Sequence, residues 1–247
     1  MSEDKTPDNL KLRLLGPVAE STGLTLQNLW ELVFGPFDSF VKKKKLIRQH
    51  DFQDFKRNFE NQVSSIPEDS LKEPKISILG PILEASKFYF EEKPLRDMFA
   101  ALAAASVDER KERYMHPSFP DIIKQMSPLD AENLKLFCSQ LPVAEYYKTK
   151  KGSDIRQTII SNVFLSNKNV SDIELQSQSI SSLSRLGLLE VEYEKTILAD
   201  RFYWQFYSTR YFVDLGLRLN SEGYLPGVTR GRARLTPLGK AFTSVCF

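Results

Sequence analysis

Cysteine and histidine are scarce in this chain of 247 residues, which contains two of each. Cys138 and Cys246 are too few and too far apart for a disulfide framework or a zinc-binding set, and such thiols are typical of a reducing compartment. No uncharged apolar run approaches the roughly 18–20 residues that cross a bilayer. The opening segment, MSEDKTPDNLK, lacks the basic start and apolar core of a signal peptide. We therefore expect a cytoplasmic protein with a disordered tail at residues 1–9.

Motifs that carry catalysis, cofactors or metals are also missing from the sequence. It contains no HExxH, CxxC or ExxH spacing, no glycine-rich phosphate loop and no nucleophile elbow. His116 precedes Pro117, which disfavours helix at His116, and no base or nucleophile accompanies the histidine in the sequence pattern. We interpret His116 as part of a structural joint and expect His50, in a charged helical stretch, to face solvent. The chain is accordingly expected to have no catalytic, cofactor-binding or metal-binding residues and not to be an enzyme.

Net charge is almost absent, since 34 basic residues balance 32 acidic ones and leave +2. This balance gives no bulk attraction to polyanions. The extreme C-terminus is the exception, because residues 201–247 contain 7 basic and 2 acidic side chains. A nucleic-acid site, if present, would use the basic residues Arg185, Arg230, Arg232 and Arg234.

What the sequence does contain is helical periodicity. Apolar residues recur at spacings of three and four from Leu24 to Val41 and again from Ile47 to Val63, which indicates buried helix faces. We predict a mainly α fold, with a helical domain over residues 10–150 and a smaller, winged-helix-like α+β domain over residues 151–247.

The winged-helix interpretation rests on the order of elements after residue 151. A predicted helix at Ile173–Leu186 is followed by a strand at LGLLEV, an aromatic stretch at 199–217 that reads as strand, and a closing helix at LTPLGKAF. The recognition helix would be Ile173–Leu186, and the helix before it would have to come from residues 155–166.

Three helix starts carry capping signals. Ser127 is predicted to cap a helix that has Pro128 at its first position and Asp130 at its third, where the helix dipole favours a negative charge. Ser171 and Thr236 are predicted to cap the two later helices.

The segment 24–45 combines large aromatic side chains with a run of lysines, and two interpretations stay open. It is either an amphipathic helix that meets an anionic membrane or another partner, or a buried face that continues into a solvated turn. The buried face is favoured. The residues concerned are Trp30, Phe34, Phe37, Lys42, Lys43, Lys44 and Lys45.

Four segments give the chain a family resemblance: LGPILEASKFYFEEKPLRDMF, LRDMFAALAAASVDERK, HPSFPDIIKQMSPLDAENLK and the terminal LTPLGKAFTSVC. Together they resemble the Abi-alpha family, the abortive-infection alpha domain of bacteria and their mobile elements. The resemblance implies a role in defence against bacteriophage, by halting growth or aborting infection. It implies no mechanism and no catalytic residues.

The leading hypothesis is therefore an antiviral protein that binds a phage or host macromolecule without catalysis. One alternative is a winged-helix DNA-binding regulator, and another is an effector that inserts the segment 24–45 into a membrane. A phage or host protein is the expected partner, while nucleic acid, a membrane surface and homo-oligomers stay open.

Overall fold

The computed structural model describes residues 49–193 and 199–247. The chain forms two compact units, one that runs to Lys124 and includes Ser244–Phe247, and one that comprises Gln125–Thr243. Each unit is described by itself. The predicted tail at residues 1–9 and the aromatic and lysine residues of the segment 24–45 lie outside the described residues.

The described part of the first unit is helical. Its helices α1 to α4 span Gln49–Ser64, Ile76–Ser86, Lys93–Ala105 and Phe119–Lys124, and short 3₁₀ turns span Glu68–Ser70 and Glu109–Tyr114.

Helix α3 is the centre of the first unit. Every residue from Met98 to Ala105 is buried, which is expected of a helix with neighbours on all sides. Phe55 of α1 is fully buried and packs against Phe90, with ring centroids 5.2 Å apart. The periodicity predicted through Val63 is therefore confirmed where α1 is described, because Val63 is also buried.

The second unit is built on a four-stranded antiparallel sheet with the strand order β2-β1-β4-β3. Its strands β1 to β4 span Leu141–Lys150, Arg156–Phe164, Leu189–Glu192 and Tyr224–Leu235. The sheet curls into a half-barrel.

Two irregularities in β2 explain the curl of the sheet. The pairing steps from Ala144 opposite Val163 to Tyr146 opposite Ile160, so β2 contributes one residue more than β1. A second shift follows at the next pair. The first bulge contains Asn162, whose φ of 56° is left-handed, a conformation that asparagine tolerates better than most residues. Bulges of this kind bend a strand and increase its twist.

The described part of the second unit also contains five helices, the last of which ends in the first unit. Helices α5 to α9 span Pro128–Lys135, Ile173–Arg185, Trp204–Tyr207, Arg210–Ser221 and Pro237–Cys246, and a 3₁₀ turn spans Asp200–Phe202. Helix α6 contacts both edge strands, β2 and β3. Helix α8 contacts β4.

The core beneath α7 and α8 begins with alternate residues of β1. Ala144 and Tyr146 are fully buried and lie on one face of the sheet, because side chains of a strand alternate with period two. The Tyr146 hydroxyl donates to the Phe206 carbonyl at 2.7 Å. Tyr203, Phe206 and Leu215 belong to the same core.

The predicted fold class is wrong, because a curled four-stranded sheet replaces the winged-helix-like domain. Residues 155–166, which that fold needed as a helix, contain β2. The β-branched Ile159, Ile160 and Val163 favour a strand there. Residues 141–147, predicted to be helical, belong to β1. The boundary predicted near residue 150 falls in the β1–β2 turn, within the second unit.

The aromatic stretch at 199–217, predicted as strand, is helical instead. Tyr203 and Phe206 are both fully buried and lie three residues apart, which is a helical spacing. The other elements of this half are confirmed: the helix from Ile173, the strand at Leu189–Glu192 and the closing helix from Pro237.

Two of the three predicted caps are confirmed. Ser127 accepts from the Asp130 amide at 3.1 Å, and Asp130 in turn accepts from the Ser127 amide at 2.8 Å, which forms a capping box at the start of α5. Thr236 accepts from the Gly239 amide at 2.9 Å. The prediction of Ser171 is wrong, because the cap of α6 is Asp172.

Candidate functional site

A cleft of about 710 Å³ lies in the second unit, where the loop after β2 meets the first turns of α6 and α8. Its volume is within the range of small-molecule sites. The charged and aromatic side chains that line it are Lys168, Asp172, Glu174, Arg210, Tyr211 and Asp214.

The two helix starts at the cleft are already capped by their own side chains. Asp172 accepts from the amides of Glu174 and Leu175 at 2.9 and 3.1 Å. Thr209 accepts from the amide of Phe212 at 3.1 Å. Because these caps satisfy first-turn donors and Asp172 brings a negative charge, the helix starts do not form an anion site.

A buried network of amide side chains fixes the loop wall of the cleft. Asn133 of α5 is fully buried, and its Nδ2 donates to Gln176 Oε1 and to Ser179 Oγ, both at 2.9 Å. Its Oδ1 accepts from Asn167 Nδ2 at 2.8 Å. Gln176 Nε2 donates to the carbonyls of Asn167 and Val170 at 3.1 and 3.2 Å. The loop is therefore held in place by hydrogen bonds rather than by apolar packing alone.

Charges of both signs face the cleft. Lys168 Nζ donates to the Leu165 carbonyl at 2.7 Å and to Gln205 Oε1 at 3.0 Å. Arg210 Nε lies 3.6 Å from Asp214 Oδ2. Burial raises the pKa of Tyr211, and the nearby Glu174 carboxylate raises it further. Such a mixed lining suits the binding of a polar ligand.

The groups of the lining that can transfer protons are carboxylates, a lysine and a tyrosine. The described lining contains neither histidine nor cysteine, the residues most often used for proton transfer and nucleophilic attack near neutral pH. The Thr209 hydroxyl is already engaged, since it caps α8 and lies 3.2 Å from the Tyr146 hydroxyl.

A second feature adjoins the cleft across the short helix α7. Phe202, Trp204 and Tyr207 are 41%, 67% and 40% exposed, and we call these three residues the aromatic patch. Gln205 of the same helix lines the cleft, while Phe206 is fully buried. Helix α7 thus turns one side to the core, one to the cleft and one to solvent.

Two arginine side chains contact aromatic rings here, one a ring of the aromatic patch and the other the buried ring of Tyr203. The Arg201 guanidinium lies 5.3 Å from the Phe202 ring centroid, and that of Arg230 lies 5.4 Å from the Tyr203 ring centroid. Arg230 also forms an ion pair with Asp200, and its pKa is raised by hydrogen bonds from its guanidinium to Tyr207 and then to Asp200.

The structure assigns structural partners to the predicted nucleic-acid residues. Arg232 pairs with Glu192 at 2.6 Å and Arg234 with Glu190 at 2.7 Å, in each case directly across the β3–β4 ladder. Arg185, at the end of α6, donates to Gln125 Oε1 at 3.2 Å. Arg185 and the arginines of β4 thus have different described partners.

The two histidines occupy exposed positions in the first unit. His116 Nδ1 accepts from the Ser118 amide at 3.2 Å and lies 2.6 Å from the Ser118 hydroxyl. The His116 carbonyl accepts from the Phe119 amide at 3.1 Å, so this residue closes the turn before α4. His50 has 80% of its side chain exposed, as predicted.

His50, Asp51 and Asp54 are the residues of the described chain whose ligand atoms come close enough to hold a metal ion, within 4.8 Å of one another. Both carboxylates, however, accept from the buried guanidinium of Arg96 at 3.0 Å. A metal ion would have to compete with this buried cation, so the cluster is explained as an ion-pair network.

Neither the cleft nor the aromatic patch was predicted from the sequence. The cleft joins residues far apart in the chain, such as Lys168 and Arg210, and no local pattern brings them together. The sequence does contain a signal for the aromatic patch. Tyr203 and Phe206 are three positions apart, which is a helical spacing, and Trp204 and Tyr207 have the same spacing one position later. A helical interpretation would have separated the buried pair from the exposed one.

Helices and a curled sheet define a mixed α and β protein with a polar cleft in its second unit. A family model described as Abortive infection alpha matches residues 47–246, which cover most of both units, and the chain belongs to this family. The predicted resemblance is thereby confirmed. A search of curated proteins finds no match, and a search of solved structures finds none. None of the helices in the described ranges combines the length and apolarity needed to cross a bilayer.

Proposed function

We propose that this protein acts in abortive infection in the cytoplasm, by binding a phage or host protein through the aromatic patch and without catalysing a reaction. Membership of the Abortive infection alpha family supports the biological role. The proposed binding surface rests on the exposure of the Trp204 side chain, which is 67%.

The composition of the aromatic patch favours a protein partner. Tryptophan, tyrosine and arginine are the residues most often found at the energetic centre of protein interfaces. Here Trp204 and Tyr207 are exposed beside Arg201 and Arg230. Large aromatic side chains are usually removed from water, so their clustering on one short helix indicates an interaction surface.

The arrangement of charges favours a protein partner over a nucleic acid. The β4 arginines are engaged with carboxylates of their own unit, and phosphate binding would require these pairs to be broken. A partner with an apolar anchor and a few acidic residues around it would fit the aromatic patch and Arg201.

The double variant Trp204→Ala/Tyr207→Ala tests the proposal. We expect it to lose protection against phage in a plating assay while its circular dichroism spectrum stays that of the wild type and its melting temperature falls only slightly, since Tyr207 also accepts from Arg230. Ile155→Ala is the matched control, because Ile155 is 80% exposed in the same unit and lies outside the aromatic patch. Full protection by the double variant would reject the proposed surface.

A further inference from the structure

Lys168 gives the cleft a positive charge that is held in place but not neutralised. Its Nζ donates to the Leu165 carbonyl at 2.7 Å and to Gln205 Oε1 at 3.0 Å, and both acceptors are uncharged. Gln205 is itself held, because its Nε2 donates to the Phe202 carbonyl at 3.2 Å. No carboxylate in the described ranges pairs with Lys168. Since an ammonium group has three donors, one N–H of Lys168 is left for an anionic group of a ligand.

Glu174 gives the cleft a negative charge that is also available. Its carboxylate has no hydrogen-bond or ion-pair partner in the part of the chain that the structure describes, and it lies near the Tyr211 hydroxyl, whose pKa it raises. The other two acids of the lining are engaged. Asp172 accepts from two first-turn amides, and Asp214 is loosely paired with Arg210. Glu174 is therefore the carboxylate that is best placed to accept from a cationic group.

Tyr211 adds an apolar wall to the cleft. Its ring stacks on that of Tyr146, with centroids 6.0 Å apart and planes inclined by 25°. Tyr146 is fully buried and its hydroxyl is bonded to the Phe206 carbonyl, so the Tyr211 ring rests on a fixed base. A methylene chain is stabilised by packing on such a ring, because the contact removes apolar area of both groups from water.

The charges of the lining sum to a small negative value. The basic side chains Lys168 and Arg210 and the acidic side chains Asp172, Glu174 and Asp214 leave a net charge of −1. A complementary ligand therefore carries one anionic group, for Lys168, and an excess of positive charge. A free basic amino acid has this pattern, since a methylene chain joins its α-carboxylate and α-ammonium groups to a second cationic group.

We propose that the cleft binds a free basic amino acid, arginine or lysine. The α-carboxylate accepts from Lys168, the charged end of the side chain donates to Glu174, and the methylene chain lies along the Tyr211 ring. The loop that carries Lys168 is already fixed by the buried amide network, so little ordering opposes binding. This site does not depend on the proposed function, because the aromatic patch takes no part in it.

Two-dimensional NMR of the ¹⁵N-labelled full chain, titrated with L-arginine and with L-lysine, tests the site. We expect saturable shifts of the Lys168 and Glu174 amides, with a Kd of about 1 mM or below. Norvaline lacks the guanidinium of arginine and agmatine lacks its carboxylate, so each should bind about tenfold more weakly. Absence of saturable shifts in the cleft with both amino acids, or equal affinity for arginine, norvaline and agmatine, overturns the proposal.

Two variants test the assigned contacts. Lys168→Gln should weaken arginine binding about tenfold and leave agmatine binding unchanged, because agmatine has no carboxylate. Glu174→Gln should weaken arginine binding about as much and leave norvaline binding unchanged, because norvaline has no guanidinium.

Glu222→Gln is the matched control, since Glu222 is exposed in the same unit and lies outside the cleft. It should bind arginine as the wild type does. Circular dichroism checks that the three variants are folded, which the exposure of all three positions favours. Arginine binding that is unchanged in either cleft variant, or weakened equally in the control, overturns the assignment.

Discussion

At the scale of single residues, the charged side chains of this protein are mostly engaged with their own neighbours. Arg96 is 4% exposed and binds the carboxylates of Asp51 and Asp54. Arg232 and Arg234 bind glutamates across a strand ladder. Removing one partner from such a pair leaves the other uncompensated, and this matters most where the pair is buried.

The ion pairs of Glu112 in the first unit can be tested by their effect on stability. Its two carboxylate oxygens lie 2.8 Å from Lys75 Nζ and 2.9 Å from Lys72 Nζ. Hydrogen bonds from Lys75 and then Lys72 lower the pKa of Glu112 from its usual 4.5 to about 2. Since the pKa is lower in the folded state, the charged carboxylate contributes stability above about pH 4.5, and this contribution is lost as the pH falls towards 2.

We therefore expect the wild type to be more stable than Glu112→Gln above about pH 5, and the difference to shrink to nothing near pH 2. Urea denaturation of both proteins at a series of pH values measures this difference. High salt should also reduce it, because the group is exposed and its charge is screened. A difference that stays constant from pH 7 to pH 2.5 would show that the two lysines are not its cause.

At the scale of elements, the sequence was informative where the structural signal is local. Ser127 and Asp130 form their capping box with one another, and Thr236 caps α9 from the position directly before it. The β1–β2 pair was missed because a strand depends on its partner. The β-branched segment of β2 favours a strand, but a strand is stable only when it is paired, and its pairing with β1 is not visible in the local sequence. The cleft depends on contacts between distant elements, so it could not be predicted.

The amide network beneath the cleft should be important for stability. Asn133→Ala would leave Gln176 Oε1 and Asn167 Nδ2 without their partner in a buried position. We expect this variant to lower the free energy of unfolding by about 2–3 kcal/mol. Chemical denaturation gives the value. Glu132→Ala changes the neighbouring, exposed position of the same helix and should cost under about 0.5 kcal/mol. Equal losses in the two variants would argue against a special role for the network.

At the scale of the whole molecule, the family match over residues 47–246 includes the helical unit and the curled sheet alike. The resemblance seen in the sequence was therefore specific for the family although the predicted fold class was wrong. Family signatures reflect the identities of particular residues, whereas the winged-helix prediction rested on the order of elements. A helix, a strand and a closing helix occur in the same order in both folds, so this order does not distinguish them.

The distribution of charge over the molecule also bears on nucleic acid. The net charge is +2, and the basic C-terminal residues Arg230, Arg232 and Arg234 are paired with Asp200, Glu192 and Glu190. A protein that binds duplex DNA through several arginines loses affinity steeply as salt rises, because each phosphate contact releases counterions. Here the three arginines already form ion pairs with carboxylates, and a phosphate would have to displace them.

We expect labelled duplex DNA to show no tight, salt-dependent binding by fluorescence anisotropy, even at low salt. The triple variant Arg230→Ala/Arg232→Ala/Arg234→Ala should leave that result unchanged and lower the melting temperature instead. Most of this loss should come from Arg232, which also donates to Gln140 at 3.0 Å. Arg185→Ala, which removes a single hydrogen bond to Gln125, should have a smaller effect. Duplex binding that disappears in the triple variant while its melting temperature is preserved would assign these arginines to nucleic acid rather than to the sheet.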